Sequence, residues 1–472
     1  MNKDKTGVLI RALGWFRETD GEHHEKTRFH VIRENVQWVL ISVVIALGIR
    51  YFVVEAFKIP TGSMAPALLG VHKHVECPNC GWNFTRDHHG SWATCPNCMF
   101  QVNVRKNGPH GGNRIFVSKF IYDIKNPGRW DIMVFKYPFA DVTCKDCEYV
   151  MFEVKWVDGM KCKKCGSSRL KPKRKNYIKR LVGLSGEELQ IKNGDIFING
   201  KVAKKPSGTQ EDMWVPVYNN GYRAKEQAAP AWNFDRQYWR NDESSLYLDT
   251  VGKEAGSSFA SFARRIIDNY AYNNAAGANV VGDLRLRLRA TVARGAGGVV
   301  LAIERGGDIF EACIPVSGSA ERCSLKRSGK VLTETDAYLE PGRGHELEFS
   351  HADGVLWLIL DGEQVLSYDY GSGTPDYGEE ISNSGIKIGG KDITCMFDGI
   401  EIFRDIYYNS DLTSGRWAVF EPVKIGENEY FVLGDNSINS KDSRVWKFVG
   451  EDDIVGKAFF VFWPLSGVRM IR

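Results

Sequence analysis

The 472-residue chain lacks a strong charge of either sign: 62 Lys and Arg stand against 58 Asp and Glu, a formal net charge of +4. For this length that excess demands no anionic partner, so charge alone makes no case for nucleic acid. No Gly-x-Ser-x-Gly elbow occurs, which removes the usual strand-turn-helix setting of a hydrolase serine. None of the ten histidines falls in a strand-like block of the outer, non-inserted chain, so a Ser-His-Asp triad has no foothold. There is no second long apolar run, and no Ala-x-Ala site closely follows the one that exists, which argues against a cleaved leader. Past residue 55 no amphipathic helix longer than two or three turns is evident.

What is present begins with VQWVLISVVIALGIRYFVVEA, interrupted only by Gln37, Arg50 and the closing Glu55. Twenty residues at about 1.5 Å each cross the roughly 30 Å hydrocarbon layer, so 35–54 reads as one transmembrane helix ending near Arg50 or Tyr51. The competing reading is a buried core helix. Lys3, Lys5, Arg11, Arg17, Lys26, Arg28 and Arg33 precede it, which places 1–34 in the cytoplasm and exports the remainder across a bacterial inner membrane.

The exported part is long enough for several modules at about 150 residues each. IFVSKFIYDI, WDIMVFKYP, NYIKRLVGL, DIFINGK, EYFVLGD and KAFFVFWP read as strands bounded by turn residues, the last of them buried. They divide into outer-chain pieces 55–74, 105–142, 171–205 and 410–472, interrupted by inserts at 75–104, 143–170 and 206–409. The long insert alternates strictly in LRLRLRATV and carries a hairpin Asp-Gly at 361 and 362. A mainly β chain with a β-sandwich insert is expected. The insert's blocks resemble concanavalin-like or laminin-G-like jelly rolls, which implies a glycan or protein ligand, or a purely structural role.

Of eleven cysteines, eight form four C-x-x-C pairs, while Cys313, Cys323 and Cys395 stand apart. Cys77 and Cys80 are followed after fourteen residues by Cys95 and Cys98; Cys144 and Cys147 are followed at the same interval by Cys162 and Cys165. Two facing knuckles supply four thiolates in a tetrahedron, so two zinc ribbons holding two structural zinc ions are expected. Disulfides are the competing reading in an oxidising compartment. His72, His74, His88 and His89 flank the first ribbon and read as surface residues. The basic stretch 161–175 could suggest nucleic-acid binding, but a charge run is usually a solvated face and export would remove the partner.

In FKIPTGSMAPALLG a Pro- and Gly-punctuated turn presents Ser63 beside Met64. Without a histidine base, a serine nucleophile needs a lysine buried enough to be neutral. Strand alternation in NYIKRLVGL puts Lys179 on one face with Tyr177 and Leu181, and Arg180 on the other. An exposed lysine snorkelling to solvent remains the competing reading of that block.

PTGSMAPALLG, PGRWDIMVFKYP, YIKRLVGLSGE, and GDNSINSKDSR with GKAFFVFWP resemble, in that order, the four boxes of type I signal peptidases. These are membrane-anchored proteases that remove signal peptides from exported proteins. The match covers about 150 residues, all outside the inserts. It implies a Ser63 nucleophile, a Lys179 general base and no catalytic cofactor. It further implies an oxyanion hole of the Ser63 N–H and the Thr61 hydroxyl, Ser440 orienting the lysine, and Asp435, Asp442, Arg444 and Arg180 as bracing ion pairs. Partners would be membrane lipid and preprotein signal peptides with small residues at the first and third positions before the cut. Departures from the family pattern are Ser437 and Ile438, where an arginine and an acid are usual, Trp130 for glycine, and Ser185 for proline. The alternative is a membrane-tethered sugar- or peptide-binding sandwich on an inactive protease scaffold.

Overall fold

The computed structural model describes residues 28–48, 54–157, 159–226, 230–242, 244–253, 256–273, 277–370, 381–408, 417–419 and 421–471. Two compact units divide the chain at Val54 and Glu55. The first contains a helix over Arg28–Gly48. It starts ahead of the expected 35 because the polar turn around Arg33, Glu34 and Asn35 winds into it, and 49–53 lie outside the described residues. Among the described residues no helix is long and apolar enough to cross a membrane, and residues 49–53 of the expected span over 35–54 lie outside them. Several of its apolar side chains are nonetheless exposed, with Leu40 60% and Val44 67% accessible.

The regular structure of the second unit is mainly strand; its longest described helix is Ser207–Met213. A nine-stranded sheet runs in the order Val54–Lys58, Arg114–Ser118, Ile454–Trp463, Ile132–Cys144, Leu170–Gly183, Glu429–Leu433, Val449–Gly450, with Val150–Lys155 and Arg469–Met470 paired beside it. Apart from DIFINGK, whose strand Asp195–Ile198 lies in a separate four-stranded sheet, the outer-chain blocks are far apart in sequence because inserts interrupt them, yet they share this sheet. Two registers place the site: Met133 faces Lys179, and Leu433 faces Arg180. On one side Ile59, Met64, Leu68, Ile115, Val117, Ile132, Val134 and Val461 form a core; on the other Met133, Phe135, Leu181, Val432 and Val449 form a second. The closing strand Ile454–Trp463 is only partly buried: Ala458 and Val461 are sealed, whereas Trp463 is 45% accessible, a correction to the buried reading.

The long insert forms a thirteen-stranded β structure around two long antiparallel strands, Leu284–Arg305 and Ser384–Arg404. The alternation in LRLRLR seals Leu284, Leu286 and Leu288 in the sandwich core. Asp361 and Gly362 both take positive φ, 51° and 86°, between Val355–Leu360 and Glu363–Asp369, the backbone that a two-residue hairpin with right-handed strand twist requires. The first cysteine-bearing insert is a pair of short hairpins, His72–Glu76 with Asn83–Asp87 and Trp92–Thr94 with Gln101–Asn103. The second caps extensions of Ile132–Cys144 and Leu170–Gly183. Contrary to expectation, His72 is buried, its Nδ1 2.7 Å from the Gly70 carbonyl; the chain needs a partner for that oxygen where it enters the hairpin.

Candidate active site

Ser63 lies in a single 3-10 turn, Gly62–Met64, all three residues buried. The turn is tied down from below by Met64, fully sealed in the core, and from behind by glycines. A Cβ on Gly70 would overlap the Thr61 carbonyl, and one on Gly434 would overlap Ser440 Oγ and the Ser63 carbonyl. These close approaches leave room only for backbone. Asn436 N–H donates to the Ser63 carbonyl at 3.1 Å, and Asn436 Nδ2 donates to the Gly62 carbonyl at 3.0 Å. Asn436 thus belongs to the site although residue patterns gave it no role; the only signal was its place inside GDN.

Lys179 comes from the neighbouring strand, on the face with Tyr177 and Leu181. Its Nζ donates to Ser63 Oγ at 2.7 Å and to the Ile178 carbonyl at 3.0 Å, with Tyr177's ring 5.6 Å away. Burial holds the Lys179 ammonium well below its ordinary 10.5, at about 8; Asp442 and Asp435 pull it back up, and Arg444 adds to the depression. An amine with a pKa near 8 is partly neutral at neutral pH and can accept a proton from a hydroxyl at hydrogen-bonding distance.

Below the pair lie two fully buried ion pairs. Arg180 grips Asp435 bidentately, Nε to Oδ1 at 2.8 Å and Nη2 to Oδ2 at 2.7 Å, and donates Nη1 to the Trp130 carbonyl at 2.9 Å. Burial alone would lower the Arg180 pKa, but Asp435 outweighs it and keeps the guanidinium charged. Trp130, where the family box has glycine, takes φ 75° and is itself buried, its Nε1 donating to the Lys204 carbonyl at 2.9 Å. Asp442 caps the short helix Ser443–Trp446 and accepts from Arg444 Nε at 2.9 Å, Arg444 Nη2 at 2.7 Å, the Gly434 N–H at 3.1 Å and Ser440 Oγ at 2.7 Å. Burial pushes the Asp442 carboxyl up, and Arg444 with these hydrogen bonds overcomes it and holds the group below 3.8. Ser437 occupies the position of the missing family arginine by accepting from Arg444 at both Oγ and carbonyl, each 2.9 Å. Ser440 bonds Asp442 rather than the Lys179 ammonium, so it reaches the lysine only through that carboxylate.

Above the pair opens a cleft of 770 Å³ whose walls include Pro60, Thr61, Ser63, Lys179, Ile438 and Ser440. Thr61 is exposed there and makes no capping bond within its turn, so its hydroxyl is available to the cleft. A dyad under an open cleft, with polar donors at its rim, can perform acyl transfer.

The family model described as "Signal peptidase, peptidase S26" matches residues 101–241 and 380–463. "Probable signal peptidase I-2" of Synechocystis sp. is 44% identical over 175 residues, covering 37% of this chain and 72% of that protein. The chain belongs to the signal peptidase I family. "Signal peptidase I" of Aquifex aeolicus is 42% identical over 143 residues, 25% of this chain and 52% of its own. "Signal peptidase I T" of Bacillus subtilis is 46% identical over 54 residues, 11% of this chain and 28% of its own. Among solved structures, the carbohydrate binding module CBM66 from Bacillus subtilis aligns with 37% of the chain and 95% of itself at 11% identity and a TM-score of 0.27. As a member of this family the protein is a serine peptidase.

In this chain the eight paired cysteines gather as two groups of four, each with all sulfurs within 4.8 Å of one another. Cys77 to Cys98, Cys80 to Cys95, Cys144 to Cys165 and Cys147 to Cys162 are each 3.6 Å apart, and every cysteine is a free thiol. Zn–S bonds of about 2.3 Å in a tetrahedron put sulfurs about 3.8 Å apart, so both groups fit a zinc ion.

Proposed function

We propose that this protein removes N-terminal signal peptides from exported preproteins by a Ser/Lys dyad. The observation that carries the reading is the 2.7 Å hydrogen bond from a fully buried Lys179 to Ser63 Oγ, with the lysine pKa held at about 8. Neutral Lys179 takes the Ser63 proton as Oγ attacks the scissile carbonyl. The oxyanion is held by the Ser63 N–H and the Thr61 hydroxyl at the mouth of the cleft. The Lys179 ammonium returns its proton to the departing amine, and a water, deprotonated by the same lysine, then releases the signal peptide from Ser63. Asp442 with Arg444, Asp435 with Arg180, and Ser440 hold the lysine's surroundings. Substrate chain would enter the cleft extended, with small residues at the first and third positions before the cut.

Membrane attachment is part of the proposal: a single-pass anchor, N-terminus cytoplasmic, catalytic unit exported, in contact with lipid. It is supported by the exposed apolar side chains Val36, Trp38, Val39, Leu40, Val43 and Val44 of the helix Arg28–Gly48 and, separately, by the exposed side chains of Trp463 and Met470 on the peptidase sheet and of Ile124 and Leu465 in short turns of the same unit, 45%, 56%, 73% and 75% accessible. Two structural zinc ions on the cysteine groups, and a glycan or protein ligand for the 206–409 insert, complete the reading; nucleic acid has no role in it. The test is incubation of the purified full chain with a signal-bearing precursor. Ser63→Ala and Lys179→Ala should each abolish cleavage while remaining folded, and full activity in either would sink the dyad.

A further inference from the structure

One segment of the sandwich insert reaches the nucleophile turn. It leaves the sandwich at Ile267 and returns at Val280, where the two residues form an antiparallel bridge. Its neck is locked: Asp268 accepts from the Asn279 N–H at 2.9 Å and from Asn279 Nδ2 at 2.8 Å, while Arg404 Nη2 donates to the Asp268 and Asn269 carbonyls at 3.2 and 2.8 Å. Beyond the neck stand Tyr272 and Asn273.

Tyr272 is fully buried, and its ring lies so close over Gly62 that a Cβ there would overlap Cε1, Cζ and Oη. Its carbonyl is fixed in turn by the first cysteine-bearing insert, accepting from the Asp87 N–H and from Arg86 Nη1, both at 2.9 Å. Asn273 and Asn436 exchange two hydrogen bonds of 2.7 Å, each amide donating to the other's oxygen. Both contacts end on the turn that carries the nucleophile: the ring on Gly62, and the amide pair through Asn436 on the Gly62 and Ser63 carbonyls. A side-chain amide has two ends, and the reciprocal pairing fixes which end Asn436 turns toward Gly62.

We propose that Tyr272 and Asn273 are positioning residues for Ser63, so that the sandwich insert completes the catalytic centre rather than merely decorating it. Neither residue reaches the cleft; each acts through the turn. Displacing a reacting group by a fraction of an ångström to an ångström costs tenfold to a hundredfold in rate, so that is the scale expected. The inference rests on the Ser/Lys reading of the site.

The experiment measures kcat, KM and Tm of the full chain on a peptide carrying small residues before the cut, for Tyr272→Ala, Tyr272→Phe, Asn273→Ala, Ser63→Ala and Lys179→Ala. Tyr272→Ala and Asn273→Ala should lower kcat by about tenfold or more, with KM within about twofold and Tm within a few degrees. Tyr272→Phe should match the parent, because it keeps the ring over Gly62 and gives up only the hydroxyl's contacts with the Val71 carbonyl at 3.4 Å and the Gly70 backbone. If Tyr272→Ala fails to fold, Asn273→Ala, which removes two hydrogen bonds and no packing, decides. Parental kcat in Asn273→Ala, or a loss that merely follows the unfolded fraction, would overturn the proposal while leaving the dyad standing. Activity retained in Ser63→Ala or Lys179→Ala is the separate result that would remove the dyad itself.

Discussion

At the scale of the residue, the centre depends on one ammonium kept at odds with its surroundings. Lys179 in the folded protein has its pKa at about 8, against an ordinary 10.5. Peptidase activity should therefore rise with pH along a limb with its midpoint about 8, read from kcat/KM of the full chain. The same depression has a stability consequence of definite sign. Below pH 8 both folded and unfolded states carry the proton, and the folded state bears the full cost of a buried charge, about 3 kcal/mol at roughly 1.4 kcal/mol per pH unit. Between about 8 and 10.5 the unfolded state holds more protons, so stability rises with pH across that window. Lys179→Met should therefore be inactive yet more stable than the parent, by about 3 kcal/mol at pH 7, with the gap narrowing by pH 10. Denaturant unfolding at the two pH values measures it, and a destabilised Met variant at pH 7 would contradict it.

At the scale of the element, much was legible because strands, turns and cysteine pairs write their rules locally. Alternation in LRLRLR and the Asp-Gly turn each depend on neighbours in sequence and each has its expected counterpart in the fold, while the repeated C-x-x-C interval brings its sulfurs together in two groups of four. The Ser63 turn and the Lys179 strand, which meet at 2.7 Å, could be picked out in the sequence because their boxes are short and contiguous. What was not legible lies in contacts across long separations. Asn436 reaches Gly62 over 374 positions, and Tyr272 reaches Val71 over 201, with no periodicity to announce either. The asparagines of the first ribbon's C-P-N-C knuckles are another case. Asn97 accepts from the Asn219 N–H at 2.9 Å and donates to the Tyr222 carbonyl at 2.7 Å, and Asn79 pairs with Glu226 through both backbone groups at 2.8 and 3.0 Å. That ribbon is therefore docked on the sandwich, and through Arg86 and Asp87 it holds Tyr272. The second cysteine-bearing insert ends strand extensions; among the described residues it has no hydrogen bond to the Gly62–Met64 turn, and its Glu153 pairs with Lys441 on the cleft wall at 3.4 Å. With zinc in both, Cys95→Ser should cost both bound metal and activity, whereas Cys162→Ser should lose one zinc ion per chain and keep its kcat. Metal analysis beside precursor cleavage checks the pair, and equal losses of activity would refute the asymmetry.

At the scale of the whole molecule, insert and outer chain are joined by charge taken out of water. Lys205, at the end of the outer-chain strands, places Nζ 2.5 Å from Asp353 and 2.9 Å from Asp405, all three buried, and Arg305 of the sandwich bonds Asp195 of the outer chain at 3.1 Å and Asp283 at 3.3 Å. Burial alone would strip the Lys205 proton, but Asp353 and Asp405 outweigh it and keep the ammonium charged. Such a cluster adds little net stability when complete and is costly when broken, because each lost partner strands a buried charge. Lys205→Met leaves Asp353 and Asp405 facing one another without a cation, and should cost about 3 to 5 kcal/mol. The neighbouring Lys204, whose partner Asp369 is 45% accessible, provides the contrast: Lys204→Met should change stability by less than about 1 kcal/mol. Because Glu55–Arg472 forms one compact unit, the loss in Lys205→Met should lower a single unfolding transition that intrinsic fluorescence and far-ultraviolet dichroism report together. Two separated transitions, one for the sandwich and one for the peptidase sheet, would show that the buried ions do not couple them.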